Sequence, residues 1–119
     1  VERLPFDDNS FDAVISSAVL HFAENETQFA AMLDEMWRVL APGGIFFARL
    51  ASDIGIEKLV EPRGGRRFFL PDGSERFLVN HTMLFDVAAR LGATQVEPIK
   101  TTNVQNLRAM TTWVLKKGN

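Results

Sequence analysis

Leu4-Pro5-Phe6-Asp7-Asp8-Asn9-Ser10-Phe11-Asp12-Ala13-Val14-Ile15-Ser16-Ser17, followed downstream by Arg38-Val39-Leu40-Ala41-Pro42-Gly43-Gly44, decides the fold. In the first stretch the acidic turn Asp7-Asp8-Asn9 precedes an apolar run from Ala13 to Ile15, which ends in small Ser16-Ser17-Ala18. A short apolar run bounded by turn residues is the pattern of a strand, and without polar alternation Ala13 to Ile15 is expected to be buried on both faces. Between the two stretches Phe29, Leu33, Met36 and Leu40 recur at steps of four, three and four, which predicts an amphipathic helix. Asn25 is its expected N-cap, with Gln28 three residues on to complete a capping box. Asp34 and Arg38 lie one turn apart and are expected to pair on the solvent side. Pro42-Gly43-Gly44 is expected to end the helix, since proline cannot continue the hydrogen-bond ladder and glycine tolerates a left-handed closing turn. Ile45 to Leu50 then reads as a second buried strand. Strand, helix, strand at this spacing favours a parallel crossover in an α/β fold.

Periodicity weakens from Ser52 to Val79, an inserted excursion. Arg63-Gly64-Gly65-Arg66-Arg67 reads as a flexible basic loop. Phe68-Phe69-Leu70 and Arg76-Phe77-Leu78-Val79 flank Pro71-Asp72-Gly73-Ser74 and are expected to form a small hairpin around that turn. Regular structure returns with a helix capped by Asn80 or Thr82, carrying Leu84, Val87, Ala88 and Leu91 inward and closed by Gly92. Thr94 to Thr102 alternates loosely as a strand, where Pro98 argues for an edge or a bulge, and Thr111 to Lys116 reads as the last strand.

The 119 residues bound one domain, which at this size buries roughly two thirds of its unfolded surface. A net charge of −2, with acids and bases interspersed, leaves no electrostatic footprint for nucleic acid or an anionic membrane, so a small molecule or another protein is the expected partner. Cysteine is absent, which removes disulfides and thiolate metal sites and suits a reducing cytoplasm. No apolar stretch approaches the roughly 18 residues of a membrane helix. Metal-ligand spacing, a nucleophile elbow and a phosphate-cradling glycine loop are not found, since Gly43-Gly44 follows a helix rather than opening one.

The Leu-Pro-Phe segment ending in Phe11-Asp12, and Arg38-Val39-Leu40 with Pro42-Gly43-Gly44, resemble the class I S-adenosylmethionine (SAM) dependent methyltransferases, in their small-molecule, type 11-like branch. Both motifs occur in the family's order with one helix between them. In that family the glycine-rich cofactor loop and the ribose-binding acid lie upstream of the Leu-Pro-Phe segment. The resemblance therefore implies that residues 1–119 are the C-terminal part of the catalytic domain, with an inserted loop or hairpin at 52–79. The implied architecture is a partial Rossmann-like sheet, parallel strands plus a C-terminal antiparallel pair, lacking its N-terminal half.

The same resemblance implies the site. Val1, Glu2, Arg3 and Leu4 would stand on the adenine side of the cofactor, and Ser16 and Ser17, at the carboxyl end of the first strand, beside its methionine part. His21 would lie near the transferred methyl group as the candidate catalytic base. Family members often carry a second histidine next to it, where this chain has Phe22. SAM is the implied cofactor, held weakly or not at all by this chain in isolation. A first strand with an unpaired edge implies association, with a second copy as a homodimer or with the missing half. Arg63, Arg66 and Arg67 are candidates for recognising an anionic acceptor, against a solvated loop. The phenylalanines are expected in the core rather than in an aromatic cage. The expected function is methyl transfer to a small-molecule acceptor in the complete form; the alternative is a non-catalytic, self-associating remnant.

Overall fold

A computed structural model describes residues 3–118 of the chain. Strand β1 (Phe11–Ser17) pairs in parallel with β2 (Leu40–Ser52), and helix α1 (Glu26–Val39) makes the crossover after a single 3₁₀ turn at Leu20–Phe22. The excursion folds into β3 (Glu61–Gly64), β4 (Arg67–Phe69) and β5 (Glu75–Phe77), an antiparallel sheet of their own. Helix α2 (His81–Leu91), β6 (Thr94–Gln95), β7 (Lys100–Val104) and β8 (Arg108–Lys116) complete the chain. β8 runs antiparallel to β2 and carries β6 and β7 on its far side, so the main sheet reads β1-β2-β8 and then the two short strands. The architecture is thus α/β, a parallel pair extended by antiparallel strands from the C-terminal third.

Both helix starts follow the sequence. Asn25 accepts from the Gln28 N–H at 2.8 Å and Asn80 from the Met83 N–H at 2.8 Å, each satisfying a first-turn donor. The Gln28 side chain reaches back to the Glu24 N–H, one residue before the cap. Gly92 closes α2 at φ 64°, a left-handed conformation that glycine adopts without a Cβ clash. α1, however, stops at Val39, three residues before the proline. The reason is tertiary: the Lys117 ammonium donates to the Trp37 carbonyl at 2.7 Å and the Leu40 carbonyl at 2.6 Å, covering the helix end from the last strand. Pro42-Gly43-Gly44 instead forms an irregularity within β2, with Gly43 at φ 80°, and Gly44 is needed for close approach: a Cβ there would meet the Asp12 carbonyl oxygen at 2.9 Å and the Ala41 oxygen at 2.8 Å.

Strand register assigns the faces. Val14, Phe46 and Leu115 line up on one side, as do Ser16, Ala48 and Trp113; Ile15, Phe47 and Val114 line up on the other, as do Ser17, Arg49 and Thr112. The first face is the core, where α1 and α2 pack Leu33, Met36, Trp37 and Leu84 against Phe46 and Trp113, with edge-to-face rings at 6.0 and 6.2 Å. The second face is covered at its carboxyl end, where Phe68, Leu70 and Leu78 from around the small sheet bury Ala51 and Met110; Val114 on β8 is also buried, while Ile15 and Phe47 stay exposed.

Four local expectations are corrected. Ala13 to Ile15 is a strand but is not buried on both faces: Ile15 is 74% exposed, because among the described residues nothing packs on its side of β1 and nothing pairs with its outer edge. Asp34 pairs with Arg90 and not with Arg38, which instead binds Glu35 and Asp8. The segment at Arg63–Arg67 is an ordered hairpin whose arginines are engaged, not a loose loop. The strand expected over Thr94 to Thr102 is split into β6 and β7 around Glu97-Pro98, since proline has no N–H to give the ladder. Among the phenylalanines Phe46, Phe68 and Phe77 are buried as expected, while Phe47 stays exposed on the uncovered face.

Candidate functional site

At the carboxyl ends of β1 and β2 lies a cavity of about 310 Å³, where ligands of open α/β sheets gather. Ala18 and His21 enter it from the connection after β1, Arg49 and Ala51 from β2, Leu70, Asp72, Ser74 and Arg76 from the β4–β5 hairpin, and Arg108 and Met110 from β8. Two arginines hold the hairpin there. Arg66 binds the Asp53 carboxylate at 2.8 Å and the Leu78 carbonyl at 2.9 Å, tying the small sheet to the end of β2. Arg67 bonds Glu75 across the strand pair and donates to the Ala23 carbonyl at 2.8 Å, which clamps the segment following His21.

His21 is 6% exposed, and its Nδ1 accepts the Ala51 N–H at 3.1 Å. That bond assigns the ring proton to Nε2. Burial, reinforced by the positive fields of Arg76 and Arg49, pushes the imidazole from 6.5 down to about 4. At neutral pH the ring is therefore neutral, with its acceptor nitrogen occupied and an N–H left to offer. Opposite it, partial burial raises the Asp72 carboxyl, but the hydroxyl and backbone N–H of Ser74 and the fields of Arg108 and Arg76 outweigh burial and hold it below its usual value. Arg76 lies over the Phe22 ring at 4.8 Å, so the aromatic residue beside His21 steers a guanidinium.

The remaining candidates are not all gathered here. Val1 and Glu2 lie outside the described residues. Arg3 is exposed, and Leu4 sits at the amino end of β1 with Phe11 and Val14, away from His21. Both backbone polar groups of Leu4 are taken by α1: its N–H donates to Glu35 at 2.8 Å and its carbonyl accepts from Arg38 at 3.1 Å. The hydrogen bonds from Arg38 and then from Leu4 hold the Glu35 carboxyl down at about 2. Ser17 is exposed on the uncovered face in register with Arg49, beside the cavity. Ser16 points to the core side; it is 3% exposed and its hydroxyl has no hydrogen-bond partner among the described residues. Of the three arginines singled out from the sequence, none lines the cavity; Arg49, Arg76 and Arg108 do. Arg49 carried a legible signal, a lone charge interrupting an apolar strand, whereas Arg76 and Arg108 come together only through the fold.

Residues 1–48 match the family model described as a methyltransferase domain. The chain thus carries a methyltransferase-domain match over its first 48 residues and has the fold of SAM-dependent methyltransferases. It is 43% identical over 67 residues to the biotin biosynthesis bifunctional protein BioHC of Teredinibacter turnerae, a match spanning 56% of this chain and 11% of that protein. In fold it resembles a SAM-dependent methyltransferase of Methanosarcina mazei at a TM-score of 0.79 and 16% identity, over 98% of this chain and 64% of that one. It also resembles the 1,6-didemethyltoxoflavin-N1-methyltransferase of Burkholderia thailandensis, solved with S-adenosylhomocysteine, at a TM-score of 0.69 and 13% identity, over 99% of this chain and 48% of that one. The chain spans about a tenth of that curated relative and roughly half to two thirds of these solved structures. Among its described residues no helix is long and apolar enough to cross a membrane.

Proposed function

We propose that this chain forms the acceptor-side, C-terminal portion of a SAM-dependent methyltransferase that modifies a small molecule in the cytoplasm. The observation that carries the reading is the orphaned Ser16 hydroxyl, buried at the carboxyl end of β1 on the helix-covered face of the sheet. A buried hydroxyl without a partner is costly by about 1–3 kcal/mol, and a polar ligand at the strand end removes that cost. SAM would be held at its amino-acid end by the hydroxyls of Ser16 and Ser17, with Arg3 on its adenine side. SAM supplies an electrophilic methyl group on a sulfonium, so the protein's contribution is alignment.

The chain's own residues do the aligning. Ala18 leaves room at the strand end, and the Ala51 N–H fixes the His21 ring so that its Nε2–H is available to orient an acceptor atom. A ring held at about 4 is a poor proton acceptor at neutral pH, which makes His21 a donor that positions rather than a general base. Leu4, with both backbone groups bound to α1, acts as the packing anchor of the segment leading into β1.

Calorimetric titration of S-adenosylhomocysteine into the chain tests this. The expected result is a saturable heat at or tighter than about 1 mM, near −4 kcal/mol, that Ser16→Ala weakens. No heat and no thermal shift, with the protein folded by circular dichroism, would sink it. The second reading, a self-associating module without cofactor, draws on the free outer edge of β1 and on Ile15, 74% exposed beside it. That edge is proposed to be covered in a homodimer or by a complementary half-domain; light scattering that stays monomeric across a concentration series removes the homodimer.

A further inference from the structure

Most arginines of this chain are neutralised. Arg38 binds Asp8 and Glu35, Arg63 lies near Glu61, Arg66 binds Asp53, Arg67 binds Glu75 and Arg90 binds Asp34. Arg49, Arg76 and Arg108 have no ion-pair partner among the described residues, and they are the arginines that line the cavity. They come from three elements, β2, β5 and β8, far apart in sequence. Their reach overlaps, since Arg49 and Arg76 both act on His21, while Arg76 and Arg108 both act on Asp72. Three guanidinium groups therefore face one carboxylate and a neutral imidazole around a space of about 310 Å³. One carboxylate balances three guanidinium groups only in part, and the remaining repulsion is relieved by an incoming anion.

The rest of the lining decides what kind of anion. Ala51, Leu70 and Met110 form an apolar floor, and Phe22 is an aromatic wall. An inorganic ion would leave that floor in water, whereas an organic acid covers it with its hydrocarbon part. Guanidinium forks match a carboxylate in plane and in hydrogen-bond count.

We infer that the cavity recognises a small organic carboxylate, its charge held among Arg49, Arg76 and Arg108 and its short apolar body laid on Ala51, Leu70 and Met110. This names the acceptor class for the methyltransferase reading above and rests on it. The charge-bearing residues of the cavity thus select the acceptor, and the β4–β5 hairpin, which contributes Leu70, Asp72, Ser74 and Arg76, is the element through which the choice is set.

The test is a titration of the full chain with hexanoate, its neutral isostere hexanamide, and inorganic phosphate, followed by chemical-shift changes or calorimetry at constant ionic strength. Hexanoate is expected to bind about tenfold tighter than either of the others, and Arg49→Gln, Arg76→Gln and Arg108→Gln are each expected to weaken it by about tenfold. Arg63→Gln, outside the cavity, is expected to leave binding unchanged. Arg108→Lys keeps the charge without the fork and is expected to recover part of the loss, which separates recognition from misfolding. Hexanamide binding as well as hexanoate, or wild-type binding by all three glutamine variants, overturns the inference; phosphate binding tighter than hexanoate overturns the carboxylate assignment. S-adenosylhomocysteine is titrated into the same samples. Cofactor binding without hexanoate binding removes this inference alone, and hexanoate binding without cofactor binding keeps the anion site while removing the methyltransferase reading.

Discussion

The two faces of the main sheet are made from the same strands and have opposite fates. On one, Phe46, Ala48, Trp113 and Leu115 are sealed beneath α1 and α2; on the other, Ile15 and Phe47 face solvent until the small sheet begins to cover Ala51 and Met110. The difference teaches where stability and recognition reside. The helix-covered face supplies the packed core, while the boundary between the bare and covered parts of the other face leaves a recess, and the cavity with His21 and the unpaired arginines sits there.

The contrast can be broken most directly by Trp113→Ala. Deleting this ring from the helix-covered face should lower unfolding free energy by about 3–5 kcal/mol in urea titrations, against less than about 0.5 kcal/mol for Ile15→Ser on the bare face. Equal losses would mean that Ile15 is covered in solution, which would point to association.

The cavity boundary can be sharpened through pH. His21 is neutral when folded down to about 4 but takes up a proton near 6.5 when unfolded, so the unfolded state binds more protons between those values. Stability should be complete above 6.5 and fall by roughly 1–3 kcal/mol as pH drops toward 4. His21→Gln, with an amide oxygen to receive the Ala51 N–H, should flatten that part of a thermal-melt series.

The anchor of the small sheet comes next. Arg66→Ala removes an ion pair whose side chains are 19% and 12% exposed and a bond to the Leu78 carbonyl, and should cost about 2 kcal/mol in the same urea titrations. The smallest effect is expected for Asp34→Ala, which breaks a pair with Arg90 in which both side chains are about half exposed; the change should stay below about 0.5 kcal/mol.

Local chemistry was legible where a residue answers to its neighbours in sequence. Asn25 and Asn80 cap because their side chains reach the third residue onward, Gly92 closes because it lacks a Cβ, and Ala13 to Ile15 and Ile45 to Leu50 are strands because apolar runs between turns extend. The parallel pairing across α1 follows from the same spacing. His21 was singled out as the one titratable residue in the connection after β1, but its tautomer and depressed basicity depend on the Ala51 N–H and on arginines 28 and 55 positions away.

The sequence by itself therefore determined the first two strands, the starts and caps of both helices, the crossover and the resemblance to methyltransferases, since each is written in periodicities and motifs a few residues long. Only tertiary structure decided which face of β1 is covered, that α1 ends under Lys117 rather than at Pro42, and that Arg66 and Arg67 are braces while Arg49, Arg76 and Arg108 surround a cavity. The physical reason is that charge and burial belong to whatever lies within a few ångströms in space. A guanidinium becomes a brace or a binding group according to whether the fold brings it a carboxylate.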